Sequence, residues 1–154
     1  MKKSIILLIL MTLSMQGSAQ TENRKIFQTY LYNEDYQVWL DINFYDNNII
    51  VPSQELFGEL PGYFGAKRDT RKWLITDASI KGNTATLAIV NDYGSEDLTA
   101  TLTYNNDAQQ LADGKLQGGT YTFTQKNGST MKIVVNRKWV KLPKKLVFKQ
   151  TDKK

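Results

Sequence analysis

Two glutamates spaced four residues apart, Glu55 and Glu59, form a carboxylate pair that could do acid–base chemistry. Residues at this spacing can share one face of a short helix. A glycoside hydrolase needs two carboxyl groups about 5 Å apart to retain the anomeric configuration and about 6.5–9.5 Å apart to invert it. Because residues 20–125 contain fourteen acidic side chains, such pairs are common in this sequence. A carboxylate hydrolase is therefore an alternative interpretation and not the leading one.

A second group of acidic residues, Asp92, Glu96 and Asp97, lies in a segment with Gly94 at its turn. Carboxylate oxygens are the ligands that calcium prefers. However, the segment lacks the Asp-x-Asp-x-Asp-Gly spacing of an EF-hand loop. A polar turn in which Asp92 and Ser95 bind backbone amides explains the same residues. We therefore predict no metal site.

The sequence contains neither histidine nor cysteine. This absence excludes Ser-His-Asp and Cys-His catalysis, the usual zinc and copper sites, and stabilisation by disulfides. The remaining chemistry would use carboxylates, tyrosine, lysine, arginine or an oxygen-bound cation. We therefore predict a protein that is not an enzyme, has no catalytic residues and uses no cofactor.

Aromatic residues are the candidates for contacting a small molecule or a glycan. Tyr63 and Phe64 lie in segment 53–72, whose glycines would let aromatic rings stack on a sugar or cover a pocket. A cavity inside a barrel could be lined by Tyr30, Tyr32, Trp39 and Tyr45. These residues could equally belong to an ordinary core. Alternatively, Phe57 and Phe64 could plug the mouth of the barrel. The predicted ligand-binding residues are Trp39, Tyr45, Tyr63 and Phe64.

The last part of the chain is strongly basic. From residue 126 onwards there are ten Lys or Arg and one acidic residue, whereas residues 20–125 have eight Lys or Arg. Such asymmetry is typical of a surface that attracts an anionic partner, here an anionic membrane surface, a polysaccharide or an acidic protein surface. An inhibitor-type envelope protein would use the basic strand 137–145 in this way. Alternatively, the strand is a lysine-protected sheet edge with its tryptophan packed inward. The predicted partner-binding residues are Lys138, Trp139, Lys141, Lys144 and Lys145.

The first nineteen residues predict export. Lys2 and Lys3 precede an apolar stretch over residues 5–15, and the small residues 17–19 suit a signal peptidase. The stretch is shorter than the approximately 20 apolar residues that span a bilayer. We therefore expect a cleaved signal peptide over residues 1–19, a periplasmic or extracellular protein, and no membrane span after cleavage. Export also argues against a nucleic-acid partner.

The pattern of residues 20–154 predicts a single all-β domain. In residues 36–45, Val38, Leu40 and Ile42 alternate with Trp39 and Asp41, which is typical of a half-buried strand. Turn signals such as Asn-Gly at residues 127–128 separate further strands at intervals of roughly ten residues.

These signals predict about eight to ten antiparallel strands in a locally connected meander. So many strands should close into a barrel or divide into a two-sheet sandwich. The barrel form resembles the calycins in shape. The Gly-x-Trp motif that marks the first strand of a lipocalin is absent from residues 26–32, so no family is assigned.

Overall fold

The structure is a computed structural model that describes residues 24–153. The predicted signal peptide, residues 1–19, lies outside the described residues. Residues 24–153 contain no α-helix and one 3-10 turn, Glu55–Phe57, which confirms the predicted all-β class. None of these residues forms a helix with the length and apolar character needed to cross a membrane. The strands are β1 Gln28–Asn33, β2 Val38–Asn43, β3 Ile49–Ile50, β4 Glu59–Leu60, β5 Gly62–Ala66, β6 Asp69–Lys81, β7 Thr84–Asn91, β8 Asp97–Tyr104, β9 Gln109–Gln110, β10 Leu116–Gln117, β11 Thr120–Gly128, β12 Lys132–Val135, β13 Lys138–Lys141 and β14 Lys145–Gln150.

Eight of these strands close into a barrel in the order β1, β2, β5, β6, β7, β8, β11 and β14. All neighbouring pairs are antiparallel, and β14 pairs with β1 to complete the ring. The order around the ring follows the order in the chain, so the predicted meander is confirmed and the barrel is the form that it takes. Three hairpins, β3–β4, β9–β10 and β12–β13, are additional two-stranded sheets.

The interior of the barrel is occupied by apolar side chains. Alternation along β2 sends Val38, Leu40 and Ile42 inward, as the sequence pattern predicts. Phe64, Phe123 and Phe148 contact one another there, with ring centroids 5.9, 6.0 and 6.2 Å apart. Burying each such side chain contributes about 1.5–3 kcal/mol, so this core stabilises the barrel without a disulfide.

Two of the added hairpins cover different parts of the barrel. The β3–β4 segment lies on the outside, where Val51 packs with Tyr63 and Leu74 in a second apolar cluster. The β12–β13 hairpin contributes Ile133 to the interior cluster and lies over the barrel end that carries the β5–β6 and β7–β8 turns. The first segment therefore supports an outer face of the barrel, and the second closes one end.

Candidate functional site

A row of side chains crosses the outer face of four neighbouring barrel strands. The strand register places Lys149 of β14 opposite Tyr32 of β1, Tyr32 opposite Trp39 of β2, and Trp39 opposite Gly65 of β5. Directly opposite residues in antiparallel strands point to the same face, with Cβ atoms about 4.5–5.5 Å apart. Tyr32 and Trp39 are therefore adjacent on the outer surface.

Gly65 fixes the position of the Trp39 indole. A Cβ atom on Gly65 would lie only 2.5 Å from Cε2 and 2.6 Å from Cζ2 of Trp39. The indole therefore lies directly against the Gly65 backbone, and any larger residue would displace it. The Trp39 Nε1–H also donates to the Tyr63 hydroxyl over 3.4 Å. Trp39 is thus held in place before any ligand arrives.

The next row on the same face contains a carboxylate between two tyrosines. Tyr30 of β1 is opposite Asp41 of β2, and Asp41 is opposite Tyr63 of β5. Burial raises the pKa of Tyr30 to about 12, and its neighbours Tyr63 and Asp41 add to the effect. The Tyr30 hydroxyl therefore remains protonated at neutral pH and can donate a hydrogen bond.

Tyr32 and Trp39 of the first row and Tyr30 of the second form the floor of a groove with a volume of about 700 Å³. This volume lies within the range of about 300–1,000 Å³ that is usual for small-molecule sites. The apolar surface comes from three aromatic residues and one valine, whereas the rim carries three carboxylates, two ammonium groups, two amides and a hydroxyl. The lining residues are Tyr30, Tyr32, Asn33, Glu34, Asp35, Trp39, Lys67, Val147, Lys149, Gln150, Thr151 and Asp152.

The segment after β14 forms one wall of this groove. The Thr151 N–H donates to the Tyr30 carbonyl over 3.1 Å, which holds the segment against β1. Two residues further on, the Lys153 ammonium lies 2.5 Å from Oδ2 of Asp41. The hydrogen bond to Asp41 raises the pKa of Lys153, so the ion pair is intact at neutral pH.

The four predicted ligand-binding residues do not share one cavity. Trp39 and Tyr63 meet on the outer face, as described above. Phe64 follows Tyr63 on β5, but its side chain points into the barrel and is 1% exposed. The Tyr45 hydroxyl accepts a hydrogen bond from the Phe27 amide, beside the interior core. The structure instead groups Trp39 with Tyr30 and Tyr32, on the outer face and not inside the barrel.

Trp139, the central residue of the predicted partner-binding set, lies on the hairpin that closes the barrel end. It is 57% exposed and does not pack inward. The Arg71 guanidinium lies 4.1 Å and the Lys132 ammonium 5.0 Å from its ring centroid, which are cation–π distances. Lys132 also forms an ion pair with Glu96 at 3.1 Å. Trp139 is therefore surrounded by cations from its own chain.

A buried carboxylate, Asp69, connects this hairpin to the barrel. It accepts hydrogen bonds from Nε and Nη2 of Arg71, both at 3.0 Å, and from the Val134 amide at 2.8 Å. Burial alone would raise the pKa of Asp69, but the hydrogen bonds from Arg71 and Val134 outweigh it and lower the pKa. Asp69 thus holds the hairpin and orients the guanidinium that contacts Trp139.

The remaining members of the predicted partner-binding set are exposed lysines on both sides of a break in the basic segment. Strand β13 ends at Lys141, Leu142 is buried, and β14 begins at Lys145. The segment is therefore not one continuous strand. The exposed lysines are Lys138, Lys141, Lys144 and Lys145.

Three of the five acidic residues considered for catalysis or metal binding, Glu55, Asp92 and Glu96, have structural partners. Glu55 lies in the 3-10 turn, where its carboxylate accepts a hydrogen bond from the Ser53 amide. Asp92 accepts hydrogen bonds from the Lys72 amide at 3.0 Å and from Gln54 Nε2 at 3.2 Å. Within residues 24–153, no group of three or more acidic residues is arranged to hold a metal ion.

Sequence reasoning missed Asp41 and the wall formed by residues 151–153. The alternation in β2 contains a signal for Asp41, because it places that residue on the same face as Trp39. Lys153 and Asp41 are in contact although they are 112 residues apart in the sequence. No local pattern predicts such a contact.

No family model, curated protein or solved structure matches this chain. No residue role or ligand can therefore be carried over from a related protein. The geometry of the groove on β1, β2 and β14 is the basis for assigning a function.

Proposed function

We propose that this protein is an exported, non-catalytic domain that binds a carbohydrate in the groove on β1, β2 and β14. The observation that supports this proposal best is the aromatic floor of Tyr30, Tyr32 and Trp39 beneath a rim of mixed charge. Predicted export places the domain where glycans are abundant, and the lack of histidine and cysteine favours binding over catalysis.

The groove offers both kinds of contact that a sugar ring requires. A pyranose has faces of C–H groups that pack on aromatic rings, and each large aromatic side chain can bury about 150–250 Å². Its hydroxyl groups donate to carboxylates such as Glu34 and Asp35 and accept from ammonium groups such as Lys67. Because both charge signs are present, the rim suits a neutral polyhydroxy compound better than a highly charged polymer.

The positions of the aromatic side chains also favour binding. Trp39 is fixed by the Gly65 backbone and by the Tyr63 hydroxyl. A side chain that is ordered before binding loses little conformational entropy when the ligand arrives. The site therefore suits a ligand with a rigid ring, and a sugar is such a ligand.

Calorimetric titration with a panel of neutral oligosaccharides tests the proposal. Trp39→Ala should weaken binding at least tenfold, which corresponds to about 1.4 kcal/mol of lost stacking. Trp139→Ala is the matched control, because it removes an indole from the barrel end, and it should leave affinity within twofold. If no oligosaccharide binds the wild-type protein, or if both substitutions weaken binding equally, the proposal is wrong.

The same titrations also separate binding from hydrolysis. A binding domain should leave the oligosaccharide intact after prolonged incubation. Glu55→Gln and Glu59→Gln should not alter its affinity, because neither residue lines the groove. Release of shorter sugars that is lost in either variant would favour the carboxylate hydrolase instead.

A second candidate function is docking of an acidic protein at the exposed lysines of residues 138–145. Among the described residues, none of the four lysines there forms an ion pair. Charge reversal at all four positions should abolish capture of such a partner, and wild-type capture should weaken between 50 and 500 mM salt, roughly the range over which exposed charges become screened. Capture that survives both changes would exclude this surface.

A further inference from the structure

One end of the groove conceals a carboxylate with an unusual environment. Asp41 is 7% exposed, although it lies on the outer face of the barrel. Tyr30 and Tyr63 flank it on the neighbouring strands, and Lys153 supplies its ion-pair partner. A carboxylate that has lost most of its water needs a compensating charge, and here the segment after the barrel provides it.

We propose that Asp41 is an ammonium-binding subsite of the groove, which Lys153 fills from within the chain until the protonated amine of an amino sugar displaces it. This inference rests on the proposed function, because it extends the same groove by one subsite. It names the class of ligand: a saccharide in which at least one unit carries a free amine.

The geometry connects Asp41 with the groove. Tyr30 lines the groove and is also directly opposite Asp41, so it belongs to both. Thr151 and Asp152 form the wall between them, and Lys153 is the next residue in the chain. Moving this short segment away from Tyr30 would therefore open the groove onto the Asp41 carboxylate.

Lys153 is suited to being displaced. Its side chain is 64% exposed, so the released ammonium group would be solvated by water and would not be left buried. The Asp41 carboxylate is buried and needs a cationic partner, but an ammonium group from a ligand can fill that role as well as Lys153 does. A sugar already stacked on Trp39 would present its amine at high local concentration and could compete effectively.

The chemistry of the subsite selects an ammonium ion. A single carboxylate forms a charge-assisted hydrogen bond with an ammonium donor, and aromatic rings nearby favour a cation. Calcium would require about six to eight oxygen ligands, far more than one carboxylate supplies. Tyr30 does not compete as an anion, because its hydroxyl stays protonated at neutral pH.

Paired ligands and paired variants test the subsite. N-acetylglucosamine oligomers with one terminal glucosamine unit, here called glucosamine oligomers, and their fully N-acetylated counterparts share a ring skeleton but differ in a single amine. Lys153→Ala should tighten binding of glucosamine oligomers about tenfold, the order expected when a competing charged hydrogen bond is removed, and leave the N-acetylated oligomers within twofold. Lys145→Ala, which removes the same charge from an exposed position on β14, should change neither affinity. Asp41→Asn should abolish the preference for the amine.

Carbon-13 NMR of the Asp41 carboxyl group provides a second readout that does not depend on affinity. In Lys153→Ala, glucosamine should shift this resonance and N-acetylglucosamine should not. If both sugars perturb the Trp39 indole but neither affects Asp41, the subsite is wrong and the proposed function stands. If no sugar perturbs either group, both are wrong. If the alkyl diamine cadaverine shifts Asp41 as strongly as glucosamine does, the assignment to an amino sugar is overturned.

Discussion

The two tryptophans on the surface of this barrel differ in how their environments use the indole ring. Trp139, at the barrel end, is 57% exposed, but Arg71 and Lys132 lie 4.1 and 5.0 Å from its ring centroid. Trp39 is less exposed, yet it faces a groove of about 700 Å³, and the nearest cation over its ring, Lys72, is 6.0 Å away. Exposure alone therefore does not identify the ring that is available to a ligand.

The difference arises from what lies behind each ring. The hairpin carrying Trp139 is fastened to the barrel by Asp69, which also orients Arg71. Trp39 lies against the Gly65 backbone, which supports the ring without using a charged side chain. The first arrangement fastens the barrel end, whereas the second leaves a fixed aromatic surface that lines the groove. The predictions below test this distinction.

The largest effect should come from Asp69→Ala. This change leaves the Arg71 guanidinium and the Val134 amide without their buried acceptor, and breaking such a pair typically costs about 3–5 kcal/mol. Urea unfolding should report a loss of this size in the free energy of unfolding. Asp113→Ala is the control, because Asp113 is exposed and its ion pair with Lys115 is long, at 4.0 Å. This substitution should lower the free energy of unfolding by less than about 0.5 kcal/mol. Equal losses in the two variants would contradict the role of Asp69.

Acid should remove part of the same contribution. The folded-state pKa of Asp69 lies below its ordinary value of 3.8, so its stabilising effect is fully present above that value. The effect is lost as the pH falls through the lowered folded-state pKa. The stability difference between wild type and Asp69→Asn should therefore be constant near neutral pH and shrink in strong acid. The protection factor of the Val134 amide against hydrogen exchange should fall over the same interval. A difference that grows on acidification would refute this assignment.

The sequence was sufficient to predict an antiparallel meander because the signals for strands and turns are local. The alternation in residues 36–45 predicts β2 and its inward face. The hairpin turn predicted at Asn127-Gly128 is wrong, because both residues belong to the end of β11, where Gly128 lies opposite Leu98 of β8 after a shift in register. A meander pairs consecutive strands, so local signals also predict the topology. Closure of β1 with β14 was one of two predicted forms, because nothing in the pattern distinguishes a closed ring from two packed sheets.

The proposed binding site was harder to predict because it depends on which face of each strand is outside. The alternation that directs Leu40 inward places Trp39 outward, so the sequence itself argued against Trp39 in an interior pocket. The same rule separates Tyr63 from its neighbour Phe64. By contrast, the contact of Lys153 with Asp41 depends on the folded path of the chain. The aromatic floor could thus be predicted from the sequence, whereas the wall formed by residues 151–153 could not.

Gly65→Ala should have an intermediate effect, and it tests the support beneath Trp39. The new Cβ atom would meet the indole at about 2.5 Å, so the ring must move away from the backbone. We expect at least tenfold weaker oligosaccharide binding and a loss of about 1–3 kcal/mol in the free energy of unfolding from overpacking. The Trp39 indole N–H resonance should also shift without ligand, which reports the displacement directly.

Gly119→Ala provides a matched glycine control for this experiment. Its new Cβ atom would meet the Tyr104 ring at 3.1 Å, a contact outside the groove lining. Oligosaccharide affinity should therefore stay within twofold. If Gly65→Ala leaves both affinity and the indole resonance unchanged, the backbone of Gly65 does not determine the position of Trp39.

The smallest effect should come from Trp139→Leu. Leucine retains apolar volume on the hairpin but loses the ring that contacts Arg71 and Lys132, so we expect a loss of about 0.5–1 kcal/mol in the free energy of unfolding. Tyr93→Leu is the control, because Tyr93 is 75% exposed and no cation contact with its ring is found among residues 24–153. It should leave stability unchanged. The loss of unfolding free energy in Trp139→Leu should disappear in high salt, and oligosaccharide binding should persist. Together these two results would show that Trp139 supports the structure of the barrel end. A loss of oligosaccharide binding would instead remove the distinction between the two tryptophans.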